Sequence, residues 1–273
     1  MNSISLQQDI DRALAEDIGS GDVTAQLVPN TPIHAKVISR QAAVICGCQW
    51  FEQVFRSLAS DLHIHWHIRD GETCAAEQTL CELTGSARVL LTGERTALNF
   101  LQTLSGTATR TARYVQAIAG TNARILDTRK TIPGLRLAQK YAVTCGGGLN
   151  HRMGLYDAIL IKENHIEASG SIANAVAAAR QLYPALSIEV EVENLEELAQ
   201  AIAAKVNRIL LDNFSLALLT KAVNMPHGQI ELEASGGVTL DNIRSIAETG
   251  VDFISVGALT KDLESVDLSM RFE

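Results

Sequence analysis

The 273-residue sequence lacks the features that would place it in a membrane, on a nucleic acid or outside the cell. No apolar run reaches about 18 residues, the length that a membrane-spanning helix requires. The N-terminus, MNSISLQQDIDRALAEDI, is polar and acidic where a signal peptide has a basic start and an apolar run. The net charge of −8 is the wrong sign for nucleic acids or anionic membranes. We therefore expect a cytoplasmic protein with neither partner.

Paired cysteines and complete metal-ligand sets are also lacking. The five cysteines lie in apolar contexts, which favours reduced core thiols, and Cys46-Gly-Cys48 has no partner pair at zinc spacing. Cys145 has no evident base beside it, so we interpret it as structural. Three histidines in residues 62–68 alternate with apolar residues and share one strand face, but no carboxylate or cysteine is placed to complete a site. We predict a polar strand face there.

The sequence does have enough apolar residues, 47%, for a full core. In the N-terminal part the order of elements is mixed, which predicts a small sheet with helices on one side. A long helical pattern follows over residues 93–119, and Ser105-Gly106-Thr107 interrupts it at the expected domain boundary. We predict earlier helices at 5–17 and 50–58, and strands at 34–39, 42–48, 62–68 and 79–83.

Strand and helix patterns then alternate regularly, which predicts a parallel sheet. About six units are visible, short of the eight of a closed barrel, so we predict an open or incomplete α/β barrel. The predicted strands are 125–127, 158–161, 188–192, 209–212, 230–234 and 253–256, and the predicted helices 172–182, 195–204, 216–223 and 240–249.

Residues 124–162 form a basic stretch in a chain whose net charge is negative: they include seven Lys or Arg and two Asp. Arg129 and Lys130 directly follow one predicted strand, and Lys162 follows the next. His151-Arg152 comes shortly after three glycines that let backbone approach a ligand. Cations gathered at the carboxyl ends of barrel strands predict a pocket for a polyanion.

Carboxylates and glycines occupy the ends of later strands. Glu189, Glu191 and Glu193 share one strand face, where we expect pairing with Lys130, Lys162 or Mg²⁺, and Asp212 ends the next strand. Ser235-Gly236-Gly237, with Thr239 as the expected helix cap, and Val256-Gly257-Ala258 offer backbone N–H groups of the kind that bind phosphate. Arg95, in the first turn of the predicted helix, either faces a partner or ligand or is a simple surface arginine.

These motifs together resemble the quinolinate phosphoribosyltransferase family over nearly the whole length. The matching segments are EDIGSGDVT at 16–24, GERTALNFLQTLSGTAT at 93–109, DTRKTIPGLR at 127–136, GGGLNHRMGLYDAILIKENH at 146–165, EVEVEN at 189–194, LLDNF at 210–214 and ASGGV at 234–238.

The resemblance implies a small α/β sandwich, residues 1–108 rejoined by 265–273, beside an open barrel of seven strands, residues 109–264. It also implies transfer of phosphoribosyl from phosphoribosyl pyrophosphate to quinolinate with decarboxylation, in NAD synthesis, by a homodimer or higher homo-oligomer that uses Mg²⁺. Arg129, His151, Arg152 and Lys162 would hold the two quinolinate carboxylates, with Arg95 arriving from the other subunit.

For the second substrate, the resemblance implies that Lys130 and Lys162 face the pyrophosphate. Glu191 and Asp212 would bind the ribose hydroxyls and Mg²⁺. The loops Ser235, Gly236, Gly237 and Val256, Gly257, Ala258 would take the 5-phosphate, and Thr128 belongs to the same matched motif as Arg129. By this resemblance Lys130, Lys162, Glu191 and Asp212 are the expected catalytic residues.

Three other interpretations remain open. A related transferase that acts on another aromatic ring acid would have the same residues in the half of the site that binds the phosphoribosyl group. A Schiff-base aldolase would use Lys162, but such a lysine needs few cationic neighbours, and this one has many. A non-catalytic sugar-phosphate sensor would keep the phosphate loops without needing Glu191 and Asp212.

Overall fold

The computed structural model describes residues 3–273, and its helices and strands are numbered along the chain. The N-terminal elements end in one helix of 31 residues. They are α1 (Ser3–Ile18), β1 (Pro32–Ser39), β2 (Ala43–Val44), α2 (Cys48–Leu58), β3 (His63–Trp66), β4 (Thr73–Cys74), β5 (Thr79–Ser86) and α3 (Ala87–Ala117).

Strands and helices alternate through most of the rest of the chain. The elements are β6 (Arg124–Leu126), α4 (Arg136–Cys145), β7 (Ile159–Ile161), α5 (Glu163–Ser169), α6 (Ile172–Leu182), β8 (Ile188–Val192), α7 (Leu195–Ala203), β9 (Arg208–Asp212), α8 (Leu216–Val223), β10 (Glu231–Ser235), α9 (Ile243–Ala247), β11 (Phe253–Ser255), α10 (Ala258–Lys261) and β12 (Leu268–Phe272). No helix among residues 3–273 is long and apolar enough to cross a membrane.

The first of two compact units contains the described residues up to Ala112, with Thr131–Gly147 and Leu259–Glu273. Its main sheet has the order β12-β1-β5-β3, and each pairing is antiparallel. The C-terminal strand pairs with β1 from Ala35↔Phe272 to Ser39↔Leu268. This confirms the small N-terminal α/β domain, and β12 is a strand of its sheet.

Aromatic residues of α2 lie at the centre of this unit's core. Trp50, Phe51 and Phe55 are fully buried. The ring of Phe51 lies 5.2 Å from that of Phe55 and 5.4 Å from that of Trp66, in edge contacts that aromatic pairs prefer. The buried residues Leu90, Ala97, Leu101, Leu104 and Ala108 recur at helical spacing along α3, so this stripe of the helix packs into the same core.

The interruption predicted at Ser105-Gly106-Thr107 is wrong, because α3 runs through it without a break. The helix also begins at Ala87, which places Arg95 in its interior and not in its first turn. Gly106 is required by packing: a Cβ there would lie 2.2 Å from the backbone oxygen of Glu264. Ser105 Oγ donates to Cys46 O and accepts from Cys46 N. Both residues therefore serve tertiary contacts in a continuous helix.

The second unit comprises Arg113–Lys130 and Gly148–Ala258. Its sheet has the order β6-β11-β10-β9-β8-β7, and every pairing is parallel. The two outer strands, β6 and β7, do not pair with each other, so the predicted open barrel is confirmed. Among the described residues this sheet has six strands, and beside β6 a single parallel bridge, Leu126↔Leu149, takes the place of a seventh.

Some local predictions need correction. The strand expected at 42–48 is only Ala43–Val44, and α9 begins at Ile243, so Thr239 does not cap it. The sequence patterns also missed α4 and α5. The domain bounds 1–108 with 265–273 and 109–264 stay a prediction; the compact units differ from them in placing 109–112, 131–147 and 259–264 with the first unit.

Candidate active site

The predicted site residues of the second unit lie at one edge of its sheet, since the carboxyl ends of parallel strands meet there. Asp212 and Ser235 end β9 and β10, and Glu191 lies one residue before the end of β8. The remaining residues lie within four positions after a strand end: Thr128, Arg129 and Lys130 after β6, Lys162 after β7, and Val256, Gly257 and Ala258 after β11. We call this edge the rim.

Lys162 and Glu191 form an ion pair across the neighbouring strands β7 and β8. Lys162 Nζ lies 2.5 Å from Glu191 Oε2, and the side chains are 44% and 17% exposed. The lysine backbone N–H donates to His165 Nδ1, which fixes the start of α5. The predicted pairing of a β8 carboxylate with Lys162 is therefore confirmed.

The three glutamates of β8 form a gradient from the interior to solvent. Glu189 is buried, Glu191 is half-buried and Glu193 is exposed. Glu189 Oε2 lies 3.0 Å from His151 Nε2 and not beside a lysine. Because the three side chains share one face, the strand presents one carboxylate to the interior, one to the rim and one to water.

The His151-Arg152 pair is held by hydrogen bonds within the second unit. The backbone N–H of His151 donates to the buried Asp127 at Oδ1, 2.9 Å away. His151 Nδ1 accepts the backbone N–H of Arg152 at 2.7 Å. Farther along, the backbone N–H groups of Met153 and Gly154 donate to the Asp157 carboxylate. The loop that carries Arg152 is thus anchored at both ends.

Arg152 lies in an environment that favours an anionic ligand. Burial and the positive charge of nearby Arg129 lower the pKa of its guanidinium from the usual value. One guanidinium nitrogen lies 3.4 Å from the carbonyl oxygen of Ala158. Two neighbouring arginines repel each other, and an anion with two carboxylates would relieve that repulsion.

Both glycine loops are shaped by close contacts. A Cβ on Gly257 would lie 3.1 Å from Lys130 Cδ and 3.7 Å from Thr128 Oγ1, so this loop runs beside the residues that follow β6. Gly236 has φ of +94°, and a Cβ there would lie 2.0 Å from Asn213 Oδ1. Glycine is required at position 236 by backbone conformation and by space.

Below the rim lies a polar cluster that sequence reasoning missed. Arg208 pairs with Glu231 at 2.8 Å and with Glu233 at 3.3 Å, and its guanidinium lies 4.0 Å from the ring centroid of Phe253. Burial, with the charge of Glu189, raises the pKa of the fully buried Glu233 to about 7. The alternating Glu231-Leu232-Glu233 at the start of β10 was the available signal, since it repeats the alternation of β8.

His151 connects this cluster to the rim. Burial of the imidazole opposes protonation, but the hydrogen bond that His151 donates to Glu189 and the charge of Glu233 outweigh it and raise the pKa of His151. The three side chains bring one ligand atom each within 4.8 Å of one another, the only such group of three found among residues 3–273. Ion pairing with Arg208 and the His151–Glu189 hydrogen bond account for the group without a metal.

Two family models match the chain. The quinolinate phosphoribosyl transferase N-terminal domain matches residues 22–105, and the C-terminal domain of the same family matches residues 107–271. The chain belongs to the quinolinate phosphoribosyl transferase family. This agrees with the fold, which combines a small antiparallel unit with an open parallel barrel.

Similar proteins within this family cover almost all of the chain. A probable carboxylating nicotinate-nucleotide pyrophosphorylase of Synechocystis is 44% identical, covering 94% of this chain and 89% of its own. The Bacillus subtilis protein of the same name is 40% identical, covering 99% and 94%. The solved nicotinate-nucleotide pyrophosphorylase structure from Francisella tularensis is 47% identical with a TM-score of 0.97, covering 100% and 98%.

Arg95 is the predicted site residue that lies in the other compact unit. It is exposed on α3, between the buried residues of the apolar stripe. Its role therefore stays a prediction from the resemblance to the family.

Proposed function

We propose that this protein transfers the phosphoribosyl group of phosphoribosyl pyrophosphate to the ring nitrogen of quinolinate. The 2-carboxylate leaves as carbon dioxide, and the products are nicotinate mononucleotide and pyrophosphate, a step of NAD synthesis. The observation that carries the proposal is one rim that combines Arg129, Arg152 and Lys162 with the carboxylates Glu191 and Asp212. Membership of the family supports the same reaction.

Quinolinate would bind at the basic side of the rim. Its two carboxylates match the neighbouring guanidinium groups of Arg129 and Arg152. A planar guanidinium binds a planar carboxylate through two parallel hydrogen bonds, which a lysine ammonium cannot do. Lys162 follows β7 and Thr128 follows β6 at the same edge of the sheet, and the His151 ring supports Arg152 by accepting the backbone N–H of Arg152 at Nδ1. Arg95 of a second subunit would complete this set.

Phosphoribosyl pyrophosphate would bind across the remaining strand ends. Lys130 and Lys162 would neutralise the pyrophosphate as it leaves, while Glu191 and Asp212 would bind the ribose hydroxyls and stabilise the positive charge that develops on the sugar. The loops 235–237 and 256–258 would take the 5-phosphate through backbone N–H groups. Proximity of Gly257 to Lys130 supports a shared phosphate-binding region.

Mg²⁺ is proposed as the metal. The carboxylates of Glu191 and Asp212 fit it, because a hard cation of this size prefers a few carboxylate oxygens together with substrate oxygens. The group of His151, Glu189 and Glu233 fits it less well, since it includes an imidazole and lies beside the Arg208 cation. When bound, Mg²⁺ would supply charge neutralisation for the pyrophosphate.

The decarboxylation follows from the first step. Attack of the pyridine nitrogen on the ribose makes a pyridinium, and this ring cation accepts the electron pair released when the carbon–carbon bond to the 2-carboxylate breaks. A proton then replaces carbon dioxide at that carbon. The protein holds the ring and the remaining carboxylate in place, and no organic cofactor is needed.

A homodimer or higher homo-oligomer and a cytoplasmic location are part of the same proposal. The net charge of −8 supports the absence of nucleic-acid and anionic-membrane partners. The exposed position of Arg95 on α3 is consistent with a role toward a second subunit.

The test is incubation with quinolinate, phosphoribosyl pyrophosphate and Mg²⁺, with nicotinate mononucleotide and released carbon dioxide measured together. Equal amounts of both products are expected. Nicotinate, which lacks the 2-carboxylate, is the matched control and should be a poor substrate, because leaving a desolvated cation without its carboxylate costs about 2 to 5 kcal/mol. Turnover of nicotinate equal to that of quinolinate would exclude the dicarboxylate site.

The main alternative is a related transferase for another aromatic ring acid. The phosphoribosyl half of the rim would be the same, so the same assay with other pyridine and pyrimidine carboxylates separates the two. Higher kcat/KM for one of those acids than for quinolinate would favour the alternative.

A further inference from the structure

The buried Glu189 has no role in the reaction described above, yet it contacts a residue of the site. Its Oε2 lies 3.0 Å from His151 Nε2, and the two side chains are 8% and 9% exposed. Glu189 lies on the same strand face as Glu191 but two residues closer to the interior. At this depth Glu189 lies below the rim, and its contact with His151 connects it to the residues of the site.

The hydrogen bonds of His151 define its tautomer. Its Nδ1 accepts the backbone N–H of Arg152 at 2.7 Å, and a ring nitrogen accepts only when it carries no hydrogen. In the neutral ring the hydrogen is then on Nε2, where Glu189 accepts it. The opposite tautomer would place two N–H groups against each other at Arg152 and leave Glu189 facing a bare nitrogen.

This tautomer bears directly on Arg152. The backbone N–H of His151 is held by Asp127 and that of Arg152 by His151 Nδ1, so two successive peptide groups are fixed beside the rim. The direction in which the Arg152 side chain leaves the backbone depends on both. A carboxylate that orients an imidazole from behind acts in the same way in metal and catalytic sites.

We propose that Glu189 is a positioning residue for the dicarboxylate substrate: it holds His151 in the tautomer that orients Arg152 toward the ring acid. The proposal rests on the proposed function, because it assigns Arg152 to quinolinate. It concerns recognition of quinolinate and leaves the phosphoribosyl half of the rim unaffected.

The arrangement also costs stability. Glu189 Oε1 and Glu233 Oε1 are buried and accept no hydrogen bond from any of residues 3–273, and the two carboxylates face the same imidazole. A carboxylate that only served folding would be better paired than this. Removing Glu189 would relieve its repulsion with Glu233 but would leave the buried His151 Nε2–H without this acceptor, so stability has to be measured beside the kinetics of each variant.

Three variants test the proposal by steady-state kinetics and thermal unfolding. In Glu189→Met, the KM for quinolinate should rise by about 10-fold or more, by analogy with residues that orient a metal-binding side chain. The KM for phosphoribosyl pyrophosphate should not change, and the unfolding midpoint of each variant shows whether the protein assayed is folded. In Glu189→Gln, the amide oxygen can still accept the Nε2–H, so the quinolinate KM should stay within about threefold.

Glu233→Gln is the matched control, since it changes the other carboxylate near His151 and keeps the His151–Glu189 hydrogen bond. Its quinolinate KM should equal that of the wild type. An unchanged KM in Glu189→Met would overturn the proposal. So would equal damage in the Met and Gln variants, which would mean that the charge of Glu189, and not its hydrogen bond, is what matters.

A readout without turnover separates this proposal from the proposed function. In the full-length protein labelled with ¹⁵N-histidine, the ring nitrogens of His151, assigned by their loss in His151→Gln, should show a bare Nδ1 and a protonated Nε2. The reverse pattern, or a ring with a proton on both nitrogens, in the wild type would overturn the proposal. If the wild type makes no nicotinate mononucleotide, the proposed function fails, and the nitrogen shifts still decide the tautomer.

Discussion

The glutamates of β8 differ in burial and in ion pairing because they lie at different depths. Glu191 is half-buried at the rim and pairs with Lys162, whereas Glu193, on the same strand face, is exposed. Only a fixed carboxylate can stabilise charge that develops on the ribose without reorganising. The two positions therefore offer a matched comparison of the same side chain.

Glu191→Ala or Asp212→Ala should lower kcat by about 100-fold or more, with little change in quinolinate affinity, because these carboxylates act as charge develops. Glu193→Ala should retain wild-type kcat. Steady-state kinetics and quinolinate binding by calorimetry would measure both effects. Unchanged turnover in both Glu191→Ala and Asp212→Ala would remove their assignment to the ribose.

Glu233 should make stability depend on pH. Burial, together with Glu189, raises its pKa to about 7 from 4.5, so between these values the folded protein keeps a proton that the unfolded chain has released. Stability from this group is therefore full below pH 4.5 and is lost as pH rises through 7. The shift corresponds to about 3 kcal/mol.

Glu233→Gln removes this loss, because the amide is neutral at every pH. The free energy of unfolding of the variant relative to the wild type should be smallest near pH 4 and should increase by about 3 kcal/mol toward pH 8. Urea unfolding at several pH values would measure it. A difference that stays constant from pH 5 to pH 8 would show that Glu233 does not carry a raised pKa.

Residues at strand ends could be predicted from the sequence. An apolar run indicates a buried strand, and the charged residue that follows it marks where the strand ends at the edge of the sheet. Lys162 and Glu191 were found in this way. Glu233 and Arg208 could not, because they lie inside strands, where a charged residue suggests an exposed edge strand. Their burial depends on pairing with each other across β9 and β10, a contact that periodicity does not reveal.

At the scale of elements, the loop after β10 contains two adjacent glycines with different constraints. Gly236 has φ of +94° and lies against Asn213, whereas Gly237 has φ of +58° and has no neighbouring atom within 4 Å of an added Cβ. An alanine adopts the second conformation at a cost of about 1 to 2 kcal/mol, but at the first it meets both backbone strain and a collision.

Gly236→Ala should therefore displace the proposed phosphate loop and raise the KM for phosphoribosyl pyrophosphate by about 10-fold or more. Gly237→Ala should change it much less. Unfolding midpoints of both variants would show whether the effect is local. Equal KM values in the two variants would argue against a role of this loop in phosphate binding.

Helix α3 shows why a glycine alone is a poor guide to where a helix ends. Ser105-Gly106-Thr107 has the composition of a break, yet the helix continues through it. The close approach of the Glu264 backbone to Gly106 involves residues far apart in sequence. Local propensity is a weak signal compared with such packing, so the boundary of α3 could not be predicted from its own residues.

At the scale of the whole molecule, the class of fold followed from the alternation of strands and helices after residue 124. The assignment of segments to the compact units did not. Residues 131–147 and 259–264, which the predicted bounds give to the barrel, belong to the first compact unit. Only the packing of α4 residues such as Ala138 and Ala142 into the first core shows this.

Arg95 provides the test of assembly, because the family resemblance places it in the site of a second subunit. Arg95→Ala and Lys130→Ala subunits should each be inactive alone. After mixing with subunit exchange, a heterodimer holds one site in which the Lys130 of one subunit meets the Arg95 of the other. With equal amounts and random pairing in a two-fold dimer, about a quarter of wild-type activity should return. Mixing each inactive variant with itself is the control, and analytical ultracentrifugation would verify the oligomer. Exchanged mixtures that stay inactive would mean that Arg95 does not act across subunits.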